Sequence, residues 1–329
     1  MNKIISQVLS ILLLLTFTTC QKEGFEEQYI EGTQIPNTST VYEHHVPSSH
    51  GFLPKISPNS LYIAHEGNEE AGRGIYIYEF ATQEKYLLVE GGTSPDWSPN
   101  SENLVFSFGG NIYKVHIGSK VVQQLTNIGN SYSPDWSPDG TKIAYRHSID
   151  NEQGPAGTWT VESDGSNNQP LILLSSPDWE SPEKLWGSLS QEEFKLYSLK
   201  TEMVEREFSV PLKDESLANN SRIPKISPDG QKIVYSNDEG VWVINSDGSN
   251  QKRILPNHFN GHNTSFDSYQ NIQLYTGQPS WHPDGKRIVY VHGRVLANYP
   301  PNDFTSTTTD IEISFYLLDV EKAILRSNL

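Results

Sequence analysis

The chain has 329 residues, with 24 basic and 40 acidic side chains and a formal net charge of −16. This charge argues against a nucleic-acid partner, because proteins that bind DNA or RNA present a basic surface, and no run of Lys and Arg supplies one. Aromatic residues make up 11% of the chain, which also has 24 Gly and 20 Pro, a composition typical of many short strands joined by turns.

Residues 1–19 are predicted to be a lipoprotein signal peptide. Lys3 gives a positive start, residues 4–17 are mostly apolar, and the stretch is short for a membrane-spanning helix. Cys20 is the only cysteine and has no partner for an internal disulfide, and its position after small residues resembles a bacterial lipobox. We expect Cys20 to be lipidated, since two or three acyl chains anchor a protein stably in a membrane. The alternative is a plain signal peptide followed by a leftover thiol.

Residues 20–48 are expected to form a flexible tether, because they are acidic and polar and show no sustained hydrophobic period. The opening Cys20-Gln21-Lys22-Glu23 resembles a lysine-and-acid signal that sends some lipoproteins to the cell surface, and a merely solvated linker is the alternative. Within this segment, residues 39–46 (STVYEHHV) could add a strand to the last sheet of the fold.

Residues 49–329 carry one motif six times. The motif centres on a Ser-Pro or His-Pro pair, and its prolines are Pro58, Pro99, Pro138, Pro182, Pro228 and Pro283. The spacings of 41, 39, 44, 46 and 55 residues are close to the roughly 40 to 50 residues of a four-stranded propeller blade. The fifth unit shows four apolar runs separated by SPDG, NDEG and DGSN, which are turn sequences. The sequence therefore predicts an all-β, six-bladed β-propeller of four-stranded antiparallel blades.

The second predicted strand of a unit is an apolar run, typical of a sheet covered on both faces. Clear examples are Leu104–Phe106, Ile143–Tyr145, Ile233–Tyr235 and Ile288–Tyr290. The fourth unit departs most, because SPEKLWGSLSQEEFKLYSL lacks the Asp-Gly turn and its second strand has a poorer pattern. We interpret it as a degenerate blade.

A tryptophan occupies one position of the innermost strand in four units, namely Trp97, Trp136, Trp179 and Trp281. These rings are predicted to be structural and to pack between neighbouring blades, each burial contributing roughly 1.5 to 3 kcal/mol. The alternative is a platform on which a carbohydrate stacks. Asp96, Asp135 and Asp178 precede three of the rings, and we expect them to bond backbone amides of adjacent turns.

The units SPDGTKIAY…GTWTVESDGSN and SPDGQKIVY…EGVWVINSDGSN resemble the WD-repeat-like propeller repeats of the TolB family, which also occur in prolyl-oligopeptidase-type enzymes. The resemblance covers residues 50–329 and is poorest in the fourth unit. TolB carries an α/β domain before its propeller, and here we expect only the tether. The peptidases carry a hydrolase domain, and we expect none here. The resemblance implies the propeller fold and leaves both family functions open.

Known catalytic motifs are missing from the sequence. It contains no Gly-x-Ser-x-Gly elbow, no His-Glu-x-x-His and no phosphate-binding Gly-Lys-Ser/Thr loop. Residues 162–167 (ESDGSN) and 245–250 (NSDGSN) do not have the ligand spacing of a calcium-binding EF-hand and are interpreted as turns. We therefore expect no catalytic residues and no cofactor.

Two histidine pairs are candidates for a metal site. His44 and His45 are adjacent, so an extended chain points them to opposite sides, and His258 and His262 lie where Pro256 and Gly261 disfavour a helix. We expect no metal site. Oligogalacturonate lyases, a related propeller class, hold a metal through histidines, which leaves a polysaccharide lyase or hydrolase acting at the channel mouth as the alternative function.

Loop length separates the two faces of the predicted propeller. Turns from strand one to two and from three to four are short, whereas the opposite face receives every long insertion: 65–74, 147–157, 212–222, 256–277 and 292–310. Recognition tends to reside on such loops, so we assign ligand binding to this long-loop face. The candidate residues, all next to the sixth blade, are His258, His262, Tyr269, His292, Arg294 and Tyr299. The alternative is that these loops only cover the channel mouth.

The resulting expectation is a non-catalytic cell-envelope lipoprotein, anchored by lipid in the bacterial outer membrane on the periplasmic side or the cell surface. Its partner is expected to be an envelope protein or a glycan, since aromatic and polar side chains together suit either surface. A structural subunit of an envelope complex is a third possibility.

Overall fold

A computed structural model of the chain describes residues 42–48, 52–69, 71–189, 193–210, 223–237, 240–256, 263–265, 268–299 and 308–326. These residues form 25 strands and one short helix, and the strands are arranged in six antiparallel sheets. The predicted six-bladed β-propeller is confirmed.

Five blades follow the chain from the innermost strand to the outermost. Blade one consists of β2 (Phe52–Ile56), β3 (Tyr62–Glu69), β4 (Gly72–Glu79) and β5 (Lys85–Glu90). Blade two consists of β6 (Thr93–Trp97), β7 (Asn103–Phe108), β8 (Asn111–His116) and β9 (Val122–Gln124). Blade three consists of β10 (Ser131–Trp136), β11 (Lys142–His147), β12 (Gly157–Glu162) and β13 (Gln169–Ile172).

Blade four consists of β14 (Ser175–Ser181), β15 (Lys184–Ser188), β16 (Glu193–Ser198) and β17 (Met203–Ser209). Blade five consists of β18 (Lys225–Ile226), β19 (Lys232–Asn237), β20 (Gly240–Asn245) and β21 (Lys252–Pro256). The degenerate fourth unit is thus a complete blade. Its first hairpin is tighter than the others because Ser181 pairs with Lys184, so the chain reverses over Pro182-Glu183 without an Asp-Gly turn.

Blade six combines strands from both ends of the described chain. It is built from β23 (Ser268–Trp281), β24 (Arg287–Tyr299), β25 (Thr308–Asp319) and, outermost, β1 (Tyr42–Ser48). A short fifth strand, β22 (Asn263–Ser265), pairs with the start of β23. β1 is the strand predicted from STVYEHHV; it lies antiparallel to β25, with Val46 opposite Phe315, and so closes the ring. The sheet therefore begins inside the segment assigned to the tether, before the boundary drawn at residue 49. Helix α1 (Val320–Arg326), which follows β25, was not predicted.

Five of the six innermost strands contain a bulge at their first proline. The residue before that proline has a positive φ of 51–55° in five blades, at Leu53, Ser94, Ser133, Ser176 and Gln278. The register with the second strand shifts at the same place. Proline has no amide hydrogen for the ladder, so a bulge is where a strand can accept it. The bulge also frees one amide for contacts between blades: the Ser94 amide donates to Glu66 Oε1 of the preceding blade (2.6 Å).

The Ser-Pro-Asp-Gly turns are closed by their own side chains. In blade three, Ser137 Oγ donates to Asp139 Oδ1 (2.7 Å) and accepts the Lys142 amide (2.9 Å). Ser227 makes the equivalent pair of bonds in blade five, with Asp229 and Lys232. These turns therefore satisfy their own polar groups, which explains why the motif recurs.

Two predicted loops next to blade six are wrong. The segments 256–277 and 292–310 were expected to be long loops, but much of each continues the blade: β23 begins at Ser268, β24 reaches Tyr299 and β25 begins at Thr308. The segment 65–74 is likewise mostly strand, since β3 ends at Glu69 and β4 begins at Gly72. Residues 147–157 remain a connection, with one isolated bridge between Asn151 and Gly154. The predicted loop 212–222 lies outside the described residues.

Candidate functional site

A ring of charged side chains lies where the innermost strands converge. Each blade contributes the residue that precedes the tryptophan position, and in blade order these residues are Lys55, Asp96, Asp135, Asp178, Lys225 and Ser280. The two lysines were not singled out in the sequence analysis. The signal was available, because LPKISP and IPKISP align with SPDWSP once the first proline of the motif is used as the reference.

The two lysines converge on one aspartate. Lys55 Nζ is 2.9 Å from Asp96 Oδ1 and 3.7 Å from Asp135 Oδ1. Lys225 Nζ is 2.6 Å from Asp178 Oδ1 and 3.5 Å from the same oxygen of Asp135. The five charged groups therefore form one continuous network that joins blades one to five. We call these five residues and Ser280 the axial ring.

The second oxygen of each aspartate binds the next blade. Asp96 accepts the Trp136 amide (2.8 Å), Asp135 the Trp179 amide (2.9 Å) and Asp178 the Ile226 amide (2.6 Å). The aspartates thus bond backbone amides, as expected, but the amides belong to neighbouring innermost strands and not to turns. Both oxygens of each carboxylate are engaged, so the axial ring acts as a clamp between blades.

Burial governs the electrostatics of the axial ring. Burial raises the pKa of Asp178 to about 6, against the opposing effect of Lys225 and with a further increase from the charge of Asp135. Burial also raises the pKa of Asp96, which Lys55 opposes. Burial alone would lower the pKa of Lys225, but the charges of Asp178 and Asp135 outweigh it and raise that pKa. Three carboxylates face two ammonium groups, so the excess negative charge favours uptake of one proton in mildly acid solution.

The four tryptophans pack beside the axial ring. All four side chains are buried. Trp97, Trp179 and Trp281 donate their indole N–H to carbonyls of the preceding blade, at Lys55 O (2.9 Å), Asp135 O (3.1 Å) and Lys225 O (2.8 Å). The buried indole N–H of Trp136 has no such acceptor among the described residues. Buried rings bonded to the neighbouring blade contribute to packing and leave no open stacking platform.

Three of the candidate ligand-binding residues share an extension of blade six. Tyr269 of β23 is the register partner of Tyr299 of β24, and Arg294 lies opposite Leu274 and Glu312. β1 reaches only Ile313, so β24 and β25 continue past it on the long-loop face. The extension brings the two tyrosines to neighbouring positions. His258 and His262 lie outside the described residues.

His292 is placed differently. Its side chain is buried, and its ring meets Tyr316 edge-on at 5.9 Å. Two more buried histidines, His65 and His147, occupy the second strands of blades one and three. Within the described ranges, no group of three or more His, Cys, Asp or Glu could hold a metal ion. In the same ranges no helix has the length and apolar character to cross a membrane.

Two clefts open between blades, one on each face. A polar cleft of about 810 Å³ lies between blades four and five on the face of the short turns, and Glu180, Arg206 and Lys232 are among its lining residues. A cavity of about 160 Å³ lies between blades three and four on the long-loop face, lined in part by Arg146, Leu173 and Leu189. Glu180 accepts the Trp186 indole N–H (2.8 Å) and Lys232 pairs with Glu321 (3.0 Å), so charges at the larger cleft are already engaged.

Comparison with known proteins finds a matching family and several similar structures. A family model described as the TolB beta propeller domain matches residues 37–270. No curated protein sequence matches the chain. The putative TolB of Agrobacterium tumefaciens has a similar structure, with 15% identity, a TM-score of 0.50, and coverage of 74% of this chain and 96% of that one.

Two further solved structures are similar at 15% identity. TolB of Acinetobacter baumannii has a TM-score of 0.37, with 82% of this chain and 54% of that chain covered. An oligogalacturonate lyase of Vibrio parahaemolyticus has a TM-score of 0.44, with 84% and 91% covered. These likenesses concern the fold alone. The family model spans most of the chain and the six blades are present, so the chain belongs to the TolB beta-propeller family.

Proposed function

We propose that the protein is a non-catalytic binding protein of the bacterial cell envelope, that Cys20 anchors it by lipid in the outer membrane, and that its long-loop face holds an envelope protein or a glycan. The observation that carries this proposal is the contrast between the two faces. On the turn face, Ser-Pro-Asp-Gly turns satisfy their own polar groups. On the long-loop face, blade six extends beyond the ring, because β24 and β25 continue past the end of β1.

The engagement of the axial carboxylates supports the non-catalytic part of the proposal. A general acid or base must reach a proton of its substrate. In each of the three aspartates, one carboxylate oxygen instead accepts a backbone amide of a neighbouring blade and the other pairs with a lysine. These residues are Asp96, Asp135 and Asp178. The raised pKa values of Asp96 and Asp178 follow from burial in this clamp, which is a structural cause.

The binding surface is tested by capture experiments with matched variants. Full-length protein would be immobilised and exposed to solubilised envelope proteins and to a panel of envelope glycans. We expect alanine at Tyr269, Arg294 and Tyr299 together to reduce capture at least tenfold. The same change at Leu61 and Val121, exposed residues of the turn face, should leave capture unchanged. Equal capture by both variants would remove the long-loop face from the proposal.

The anchor and the absence of catalysis have their own tests. Cys20→Ala should abolish incorporation of labelled palmitate and release the protein from the membrane fraction. Incubation of wild-type protein with uronic-acid polymers should yield no unsaturated products, with and without added manganese. Formation of such products would favour the alternative lyase function. A wild-type protein that takes up no palmitate and is not found in the membrane fraction would contradict the lipid anchor.

A further inference from the structure

Exposed apolar side chains gather on the long-loop face of blades two to four. They are Phe108, Tyr132, Ile149, Leu173 and Leu189. Phe108 ends β7, Ile149 follows β11, Leu189 follows β15, and Leu173 lies between β13 and β14, so each one belongs to a connection or strand end on that face. We call these five residues the apolar track. Exposed apolar groups that adjoin one another mark an interaction surface, whereas single ones, such as Leu61 on the turn face, are ordinary.

The apolar track is continuous across the blades. Tyr132 is the register partner of Arg146. Arg146, Leu173 and Leu189 line the same 160 Å³ cavity, which also has Ser148 in its wall, next to Ile149. At the other end, the position of a Cβ on Gly110, in the turn after Phe108, lies 3.7 Å from the Tyr132 hydroxyl oxygen. The track therefore runs from blade two to the junction of blades three and four.

The cavity at the end of the track has the size of a side-chain pocket. Its 160 Å³ is well below the roughly 300 to 1,000 Å³ of sites for whole small molecules. Leu173 and Leu189, 64% and 48% exposed, stand at the cavity. Inside, Ser175 Oγ donates to the Ser188 carbonyl (3.0 Å), so that hydroxyl is already bonded. The pocket thus suits one apolar group inserted between two leucines, the arrangement of an interface hot spot.

Arg146 adds a charge requirement to the pocket. Its side chain is exposed, and no carboxylate of the described residues forms an ion pair with it. Several other cations among the described residues pair with carboxylates, for example Lys142 with Glu162 and Lys184 with Glu205, both at 2.6 Å. The nearby Asp150 accepts the Ala156 amide (2.8 Å). A guanidinium beside an apolar pocket is placed to receive a carboxylate of a partner.

Resting on the proposed function, we infer that the junction of blades three and four binds a peptide segment of a partner protein. A bulky apolar side chain of that segment enters the pocket between Leu173 and Leu189, and a neighbouring Asp or Glu pairs with Arg146. The rest of the segment lies along the apolar track toward Tyr132 and Phe108. This assignment deepens the function of the long-loop face by naming a protein partner and the chemistry of its contact.

A random-peptide phage library tests the inference with defined variants. Immobilised full-length wild-type protein should enrich peptides that carry Leu, Ile or Phe next to Asp or Glu. The double variant Leu173→Asp/Leu189→Asp should retain these phages at least tenfold less well. The variant Arg146→Glu should enrich Lys or Arg in place of the acidic residue while keeping the apolar one. A variant that merely fails to fold cannot produce such a reversal of charge preference.

The matched control is Val121→Asp, a change of an exposed valine on the turn face, which should select the same peptides as wild type. Identical selections by wild type, Arg146→Glu and the double leucine variant would overturn the inference, as would the absence of any enriched motif. If capture of envelope components still depended on Tyr269, Arg294 and Tyr299, the proposed function would stand without it. If no change on the long-loop face affected either assay, both would fail.

Discussion

The axial ring has two chemically different halves. Blades two to four contribute Asp96, Asp135 and Asp178, and each carboxylate holds an amide of the following blade. Blades five, six and one contribute Lys225, Ser280 and Lys55 at the same position, and the two lysines reach back to the aspartates. One half of the ring supplies acceptors and the other supplies cations. Six similar blades are therefore held together by charged residues that differ from blade to blade.

The difference between the halves bears on function. The carboxylates are committed to neighbouring blades and the lysines neutralise most of their charge, so the axis serves as framework. The uncommitted groups, Arg146 and the apolar track, lie on the long-loop face. In this account the axial ring holds the blades together, and the long-loop face is the proposed binding surface.

Removing one aspartate should have the largest effect. Asp178→Ala leaves Lys225 with only the more distant Asp135 and deprives the Ile226 amide of its acceptor. Breaking a buried pair from one side typically costs about 3–5 kcal/mol, and we expect a loss of that size in the free energy of unfolding by urea. Ser280→Ala, at the equivalent position of blade six, removes one uncharged hydroxyl and should lose only about 1 kcal/mol. Equal losses would show that the two halves are not different.

Two buried groups, Asp178 of the axial ring and His65 in the second strand of blade one, should make stability respond to pH with opposite signs. Burial lowers the pKa of His65, in blade one, from 6.5 to about 4, so the unfolded chain takes up a proton that the folded chain does not, and stability falls as pH falls from 6.5 to 4. The raised pKa of Asp178 has the reverse effect: its contribution is present in acid and is lost as pH rises from 3.8 to about 6.

Replacing His65 separates its effect on the pH dependence of stability from that of Asp178. The free energy of unfolding of His65→Phe minus that of wild type should increase by about 2–3 kcal/mol when the pH falls from about 7 to about 4.5. The reason is that wild type loses stability over this range by keeping a buried imidazole unprotonated, and the variant has no imidazole. Urea unfolding at both pH values measures the difference. A constant difference between variant and wild type across this range would contradict the assigned cause.

The smallest expected effect concerns the indole hydrogen bonds. Trp281 donates to the Lys225 carbonyl, whereas the Trp136 N–H has no acceptor among the described residues. Phenylalanine removes the N–H and part of the ring at both sites, so Trp281→Phe should lose about 1 kcal/mol more than Trp136→Phe. Thermal unfolding of the two variants gives this difference directly, and a larger loss for Trp136→Phe would contradict it.

The sequence predicted the blades because their signals are local. Pro-Asp-Gly turns and apolar runs lie within a few residues of one another, and the N-terminal strand that closes the ring was also visible in STVYEHHV. The extension of blade six was misassigned as loops because residues 268–276 (SYQNIQLYT) are mostly polar and lack an apolar run. The short run Val295–Ala297 lies between Gly293 and Pro300, which are typical of turns. Strand pairing, which overrides such local preferences, is a long-range property.

The axial ring was only half predicted for a related reason. The tryptophans and aspartates recur in neighbouring units, but Lys55 and Lys225 precede isoleucines, Ile56 and Ile226, so an alignment on tryptophan passes over them. Arg146 and the apolar track carry no motif at all. Their proximity follows from the packing of blades three and four, which no spacing along the chain reveals.

The measurement that most directly tests the proposed binding on the long-loop face is site-specific photo-crosslinking in intact cells. A photoreactive amino acid would replace Leu189 on the long-loop face or Leu61 on the turn face, both about half exposed (48% and 49%). The account predicts a discrete covalent adduct from position 189, lost in the Arg146→Glu background, and none from position 61. An adduct from position 61 alone would contradict it.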